Sequence, residues 1–171
     1  MPACGKTTLG RALAARLGVP LCDTDAEVER LAGMPVGRIF AERGEEAFRR
    51  LEAQVIERMA GSPRAPIVAC GGGTPCYGHS LQLMLDTGTV VWLQASTERT
   101  LQRLAEQPGQ RPRLQGLEGD ALRRALDDEL HRRAPFYSRA PFTFDSSRLD
   151  TPAEIEDTVQ RFITQFLPDG K

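Results

Sequence analysis

Lysine is almost missing from this chain of 171 residues: of 22 basic side chains, 20 are arginine, and the two lysines are Lys6 and the C-terminal Lys171. A lysine kept against that bias marks a place that suits a compact ammonium on a flexible stem, which a planar guanidinium replaces poorly. A surplus of one charge is missing too. The 22 basic residues face 23 acidic ones for a formal net charge of −1, which gives no electrostatic footprint for a nucleic acid or an anionic membrane. Long apolar runs are absent as well. The longest uncharged stretch, Ala65–Leu85, holds three consecutive glycines and two prolines and is no bilayer span. Near the start, Lys6, Thr7, Thr8 and Arg11 leave no room for the apolar core of a signal peptide. The four cysteines (Cys4, Cys22, Cys70, Cys76) make no C-x-x-C pair and the two histidines complete no zinc set. Reduced thiols in a cytoplasmic protein are the expectation. With 40% hydrophobic and 26% charged residues, the chain is of globular composition and of single-domain length.

What is present begins at Gly5-Lys6-Thr7-Thr8. Followed by LGRALAARLG, this reads as the second half of a phosphate-binding loop and the helix it feeds, with Leu9, Ala12, Leu13 and Leu17 near one face and Gly18 as the stop. In the full motif, backbone N–H groups wrap the phosphates at a helix N-terminus, the lysine reaches the β/γ oxygens and the hydroxyl binds Mg²⁺. On its own GKTT equally describes a helix start with a surface lysine.

Short apolar runs then alternate with helical patterns. Strands are expected at 19–23, 66–70, 89–94 and 141–145. Helices are expected at 24–31 (with Thr24 and Glu27 spaced as a capping box), 36–40, 45–59, 97–106, 120–133 and 151–166. Such alternation predicts an α/β fold, an open parallel sheet flanked by helices on both faces, with ligands at the C-terminal ends of the strands. Asp23, Asp25 and Gly71–Gly73 fall at such ends. Two carboxylates two residues apart address one crevice: one can hold Mg²⁺ through water, the other can accept a proton from an attacking hydroxyl. Asp25 with Thr24 also suits a plain helix cap. Arg49 stands beside the apolar stripe Phe48, Leu51, Val55, Met59, with Glu52 one turn on to hold it. With Arg133 it could grip one substrate carboxylate between two planar forks. Three glycines after a buried strand suit a ligand's close approach to the backbone. The Pro/Gly/Gln-rich segment 107–119 is too polar for a core. His79, His131, Trp92 and Tyr137 read as structural.

Lys6-Thr7, Asp23-Thr24-Asp25, GEEAFRRLE (44–52), GGG (71–73), QRP (110–112) and RRAPFY (132–137) occur in the order and spacing of shikimate kinases, and the chain resembles that family from Gly5 to about Phe166. The resemblance implies a P-loop NTPase-like fold with strand order 2-3-1-4-5, as one kinase domain with a substrate-binding helical insert at about 24–60 and a lid at about 107–119. It implies ATP-dependent phosphorylation of the shikimate 3-hydroxyl, a step toward chorismate and the aromatic amino acids, with ATP and shikimate as the partners and Mg²⁺ as cofactor. It implies ATP contacts from Ala3, Cys4, Gly5, Lys6, Thr7, Thr8, Arg103 and Arg111. Thr7 and Asp23 would lie on the metal side, and Asp25 would be the base. Arg49 and Arg133 would bind the substrate carboxylate, and Gly71, Gly72 and Gly73 would approach the ring hydroxyls. Lys6 and the lid's Arg111 would neutralise the transferring phosphoryl, and Arg103 would pack on adenine. A cytoplasmic monomer is expected.

The sequence departs from the pattern at the loop. Ala3 stands where the family has glycine, and the first loop glycine and its preceding strand would fall before Met1. The expectation is that roughly eight upstream residues complete them. Two other readings compete: a related kinase for another small molecule such as gluconate, and a truncated or non-catalytic chain that binds shikimate without ATP.

Overall fold

The computed structural model describes residues 1–106 and 116–167. Segment 107–115, with Arg111 and most of the expected lid, lies outside the described residues.

The elements run α1 (Lys6–Leu17), β1 (Leu21–Asp23), α2 (Thr24–Ala32), α3 (Val36–Ala60), β2 (Ile67–Ala69), a 3-10 turn (Thr74–Cys76), α4 (Ser80–Thr87), β3 (Val91–Gln94), α5 (Thr97–Glu106), α6 (Gly119–Tyr137), β4 (Phe142–Asp145) and α7 (Pro152–Phe166). All strand pairing is parallel, as the alternation predicts. It comes as two separate pairs: β1 with β2, in the register Cys22 to Val68, and β3 with β4, in the register Leu93 to Phe144. These two small sheets among the described residues are the pairs 2-3 and 4-5 that the expected order 2-3-1-4-5 leaves without its first strand. The strands are also shorter than their apolar runs.

Helix α1 joins the two pairs. Leu9 and Leu13 pack in one cluster with Phe144, Leu149 and Val159, against Ile67 of β2 and Val91 and Leu93 of β3. A second cluster, Cys22, Val28, Ile39, Phe48 and Val55, gives the α2–α3 pair its own core on β1 and β2.

Several local expectations are corrected. The cap of α2 is Asp23, whose side chain accepts from the N–H of Asp25 and of Ala26. Thr24 is fully buried and cannot cap: its hydroxyl accepts from Gly71 N–H at 2.8 Å. By contrast, the two helices expected at 36–40 and 45–59 hold as the two arms of α3, separated at Gly44, where the backbone is non-helical with φ +78° and a side chain would be strained. Helix α6 runs on to Tyr137 through Pro135, which removes one N–H near its last turn. Helix α4 was not expected at all. Helix α7 matches the helix expected at 151–166; the Thr151 side chain caps it by accepting from Glu154 N–H, and Pro152 stands in its first turn. Among the described residues no helix is long and apolar enough to cross a membrane.

Leu9 is 1% exposed at the joint between the strand pairs. Leu9→Ala is expected to cost about 2–5 kcal/mol in urea unfolding. A loss below about 1 kcal/mol would show that α1 is not the joint.

Candidate active site

The Gly71–Gly73 segment after β2 organises the candidate site, because each glycine has a charged side chain close to where a Cβ would stand. A Cβ on Gly71 would lie 2.7 Å from Glu52 Oε1 and 3.0 Å from Asp25 Oδ1; on Gly72, 2.6 Å from Arg133 Nη1; on Gly73, 2.4–2.7 Å from the Arg49 guanidinium. None of the three has positive φ. Space, and not backbone conformation, is what glycine supplies here. Asp25, Arg133 and Arg49 thus line up along consecutive residues, whose outer Cα atoms are at most about 7.6 Å apart.

Each of these side chains is held from behind. Arg49 Nη1 donates to Glu52 Oε2 at 2.7 Å and Nη2 to Glu45 Oε1 at 3.0 Å. The Tyr77 ring lies 4.3 Å from the guanidinium carbon. Glu52 is 2% exposed and also accepts from the Thr74 hydroxyl. Burial pushes its carboxyl above the ordinary range, against the pull of Thr74 and Arg49. Arg133 donates to Glu129, one turn back on α6. The Tyr137 hydroxyl donates to Gly72 O at 2.6 Å, and its ring packs on Trp92. Burial pushes that phenol up to about 12, so it stays a donor.

The Gly5–Thr8 end meets the same crevice. Thr7 Oγ1 donates to Asp23 Oδ2 at 2.7 Å, while the other oxygen of Asp23 caps α2. One carboxylate therefore fixes α2 and faces the threonine. Lys6 Nζ donates to Met1 O at 2.6 Å and reaches Cys4 Sγ at 3.6 Å. Burial raises the Cys4 thiol, but the Lys6 ammonium, the Met1 amino group and hydrogen bonds from Lys6 together outweigh it and the thiol falls to about 7. Gly5 has φ +89°, and a Cβ on it would sit 2.4 Å from the Leu149 side chain. Thr8 is exposed on the first turn of α1.

Arg103 fastens this end to the β4–α7 loop. Its guanidinium donates to Asp150 Oδ1 (2.7 Å) and to the carbonyls of Ala3 (3.3 Å) and Ser147 (2.9 Å). The buried Ser146 hydroxyl lies 2.6 Å from Cys4 O and 3.1 Å from Gln94 O. Sequence reasoning overlooked Ser146, Leu149, Thr74, Glu45 and Tyr77, and gave Thr24 a capping role in place of its bond to Gly71. Position alone could have flagged Ser146, which directly follows a strand end on the ligand side of the sheet.

For a metal, Thr7 and Asp23 offer two hard oxygen donors 2.7 Å apart. No group of three or more His, Cys, Asp or Glu residues suited to a metal occurs among the described residues. That donor set suits Mg²⁺, which keeps waters and shares phosphate oxygens, better than a tightly caged ion.

The family model described as shikimate kinase matches residues 2–165. A shikimate kinase of Bacteroides thetaiotaomicron is 39% identical over 157 residues, covering 92% of this chain and 89% of that protein. The 1.7 Å crystal structure of shikimate kinase from the same species superimposes with a TM-score of 0.91 at 37% identity, covering 96% of this chain and 93% of that one. A shikimate kinase from Acinetobacter baumannii, solved in complex with shikimate, gives 0.83 at 30% identity, covering 98% and 90%.

Two stability predictions follow from the geometry. Gly73→Ala, which drives a methyl into the guanidinium beside buried Glu52, is expected to cost at least about 2 kcal/mol in urea unfolding. Gly88→Ala, with nothing nearer than 3.7 Å, is the control and should stay within about 0.5 kcal/mol; equal losses would contradict the packing argument. Ala3 has φ +49° and is, among the described residues, the one non-glycine residue with positive φ. Ala3→Gly should therefore raise stability by about 1 kcal/mol, and a lowered thermal midpoint would contradict the strain.

Proposed function

Because the chain belongs to the shikimate kinase family, we propose that it transfers the γ-phosphoryl of ATP to the 3-hydroxyl of shikimate through the residues gathered at Gly71–Gly73 and at Gly5–Thr8. The carrying observation is the alignment of two carboxylates, Asp25 and Glu52, and two guanidinium groups on three consecutive glycines, beside the lysine-bearing loop. A ring acid with one carboxylate and several hydroxyls is complementary to that arrangement. The product, shikimate 3-phosphate, leads toward chorismate and the aromatic amino acids.

Arg49 and Arg133 grip the carboxylate, and their forks fix the ring's orientation. Asp25 then accepts the proton of the 3-hydroxyl as its oxygen attacks phosphorus. Deprotonating a positioned hydroxyl is worth roughly 10²–10⁴-fold in rate. Gly71–Gly73 let the ring come against backbone. Lys6 neutralises charge on the transferring phosphoryl, and the N–H groups of the Ala3–Thr8 segment hold the phosphates at the start of α1. Thr7 and Asp23 would hold Mg²⁺, which when bound supplies charge neutralisation between the phosphates. Arg111, which lies outside the described residues, is proposed to close over the γ-phosphoryl from the lid, excluding water. Arg103 is proposed to offer its face to adenine while its edge holds Asp150 and the Ala3 carbonyl. A monomer as the working unit belongs to this proposal. Cytoplasmic location belongs to the same proposal.

Asp25→Asn tests the base. Initial rates of shikimate phosphorylation should fall at least about 100-fold in kcat, with the KM for shikimate changed only a few-fold. A variant that keeps more than about a tenth of the rate would remove Asp25 from the chemistry.

A further inference from the structure

The guanidinium proposed to grip the substrate carboxylate already holds two carboxylates of its own chain, and they are not equivalent. Glu52 on Nη1 is buried, with a side chain 3% exposed, and is tied to Thr74. Glu45 on Nη2 faces outward, with its side chain 35% exposed. The buried Nε of the same guanidinium has no hydrogen-bond partner among the described residues. Nε and Nη2 form the side-on fork of an arginine, the edge that takes a carboxylate with two parallel bonds. That edge is half used: Glu45 holds one donor, and the other is idle.

Tyr77 supplies the second half of the device. Its hydroxyl donates to Glu45 Oε1 at 2.9 Å, the same oxygen that accepts from Arg49 Nη2. Its ring covers a face of the guanidinium and leaves the edges open. Glu45 therefore has an anchor that does not depend on Arg49. Glu45 also adds a second carboxylate, beside Glu52, to a largely buried positive charge, which lowers the cost of burying it.

We propose that Glu45 is a resident stand-in for the substrate carboxylate at Arg49, displaced when substrate binds and then held aside by the Tyr77 hydroxyl. The inference rests on the reading that Arg49 binds that carboxylate. Glu45 and Tyr77 are positioning residues: they set how tightly the acid binds and take no part in phosphoryl transfer.

A double-mutant cycle tests it on the full chain, using Glu45→Gln, Tyr77→Phe and the pair. The readouts are shikimate affinity by titration calorimetry without nucleotide, and KM for shikimate and for ATP. Glu45→Gln should tighten shikimate binding about 3- to 10-fold and leave the ATP KM within about twofold. Tyr77→Phe, which keeps the ring, should weaken shikimate binding about threefold. In the Glu45→Gln background the same change should do nothing, because the hydroxyl acts through Glu45. Binding that is unchanged or weakened in Glu45→Gln would overturn the proposal, as would a Tyr77→Phe effect of equal size in both backgrounds. A wild-type chain that binds no shikimate would instead remove the underlying reading and the inference with it.

Discussion

Three missing Cβ atoms govern this site. At Gly71, Gly72 and Gly73 the backbone lets Asp25 with Glu52, then Arg133, then Arg49 come within 3.0 Å of positions that side chains would occupy. Those groups come from α2, α3 and α6, which are far apart in sequence. The glycines let them converge at the end of one strand. Around this convergence the fold looks like a set of supports. Thr24 ties the start of the glycine run to the β1–α2 junction, Tyr137 ties its middle to α6, and Thr74 ties its end to Glu52.

Charge explains why the supports are needed. Arg49 and Arg133 are both mostly buried, with side chains 11% and 14% exposed, and a buried guanidinium without a partner is costly. Each has an acidic partner on its own helix, Glu45 and Glu52 for Arg49 and Glu129 for Arg133. Both guanidinium groups are thus already paired within the protein, and a carboxylate that came to them, as the proposed function has it, would compete with partners already there. The Gly5–Thr8 end is built differently. Ser146, Arg103 and Leu149, all at or near the β4–α7 loop and α5, fasten the Ala3–Gly5 segment mainly through its carbonyls and by packing. Its N–H groups are the ones a phosphate would use.

The residues that meet were largely legible in the sequence, because local chemistry marks them. Lys6 stood out against an arginine background, the triple glycine followed an apolar strand, and Asp23 and Asp25 sat at a strand end. The Arg49–Glu52 pair was readable from helical spacing, but the burial of Glu52 was not, since that depends on Thr74 and Gly71 arriving from another element. The cap of α2 was misassigned for a similar reason: Thr24 looks like a cap until the Gly71 N–H claims its hydroxyl. The parallel pairing of β1 with β2 and of β3 with β4 followed from the alternation of elements, and their separation into two sheets from the expected order 2-3-1-4-5 without its first strand, which leaves the pairs 2-3 and 4-5. Ser146 and Tyr77 act through partners 142 and 32 residues away, a distance that no local pattern spans.

The account stands on the site being selective for a carboxylated ring alcohol, and the most direct test is initial-rate ADP release by the 171-residue chain with Mg·ATP, varying shikimate, with gluconate as the control. Gluconate carries a carboxylate and hydroxyls on an open chain, so it probes the spacing and not the charge alone. Saturable release that depends on shikimate and is negligible with gluconate is the predicted result. Release that ignores shikimate, or that gluconate supports equally, would contradict the claim that Asp25, Arg133 and Arg49 on the glycine run read the substrate.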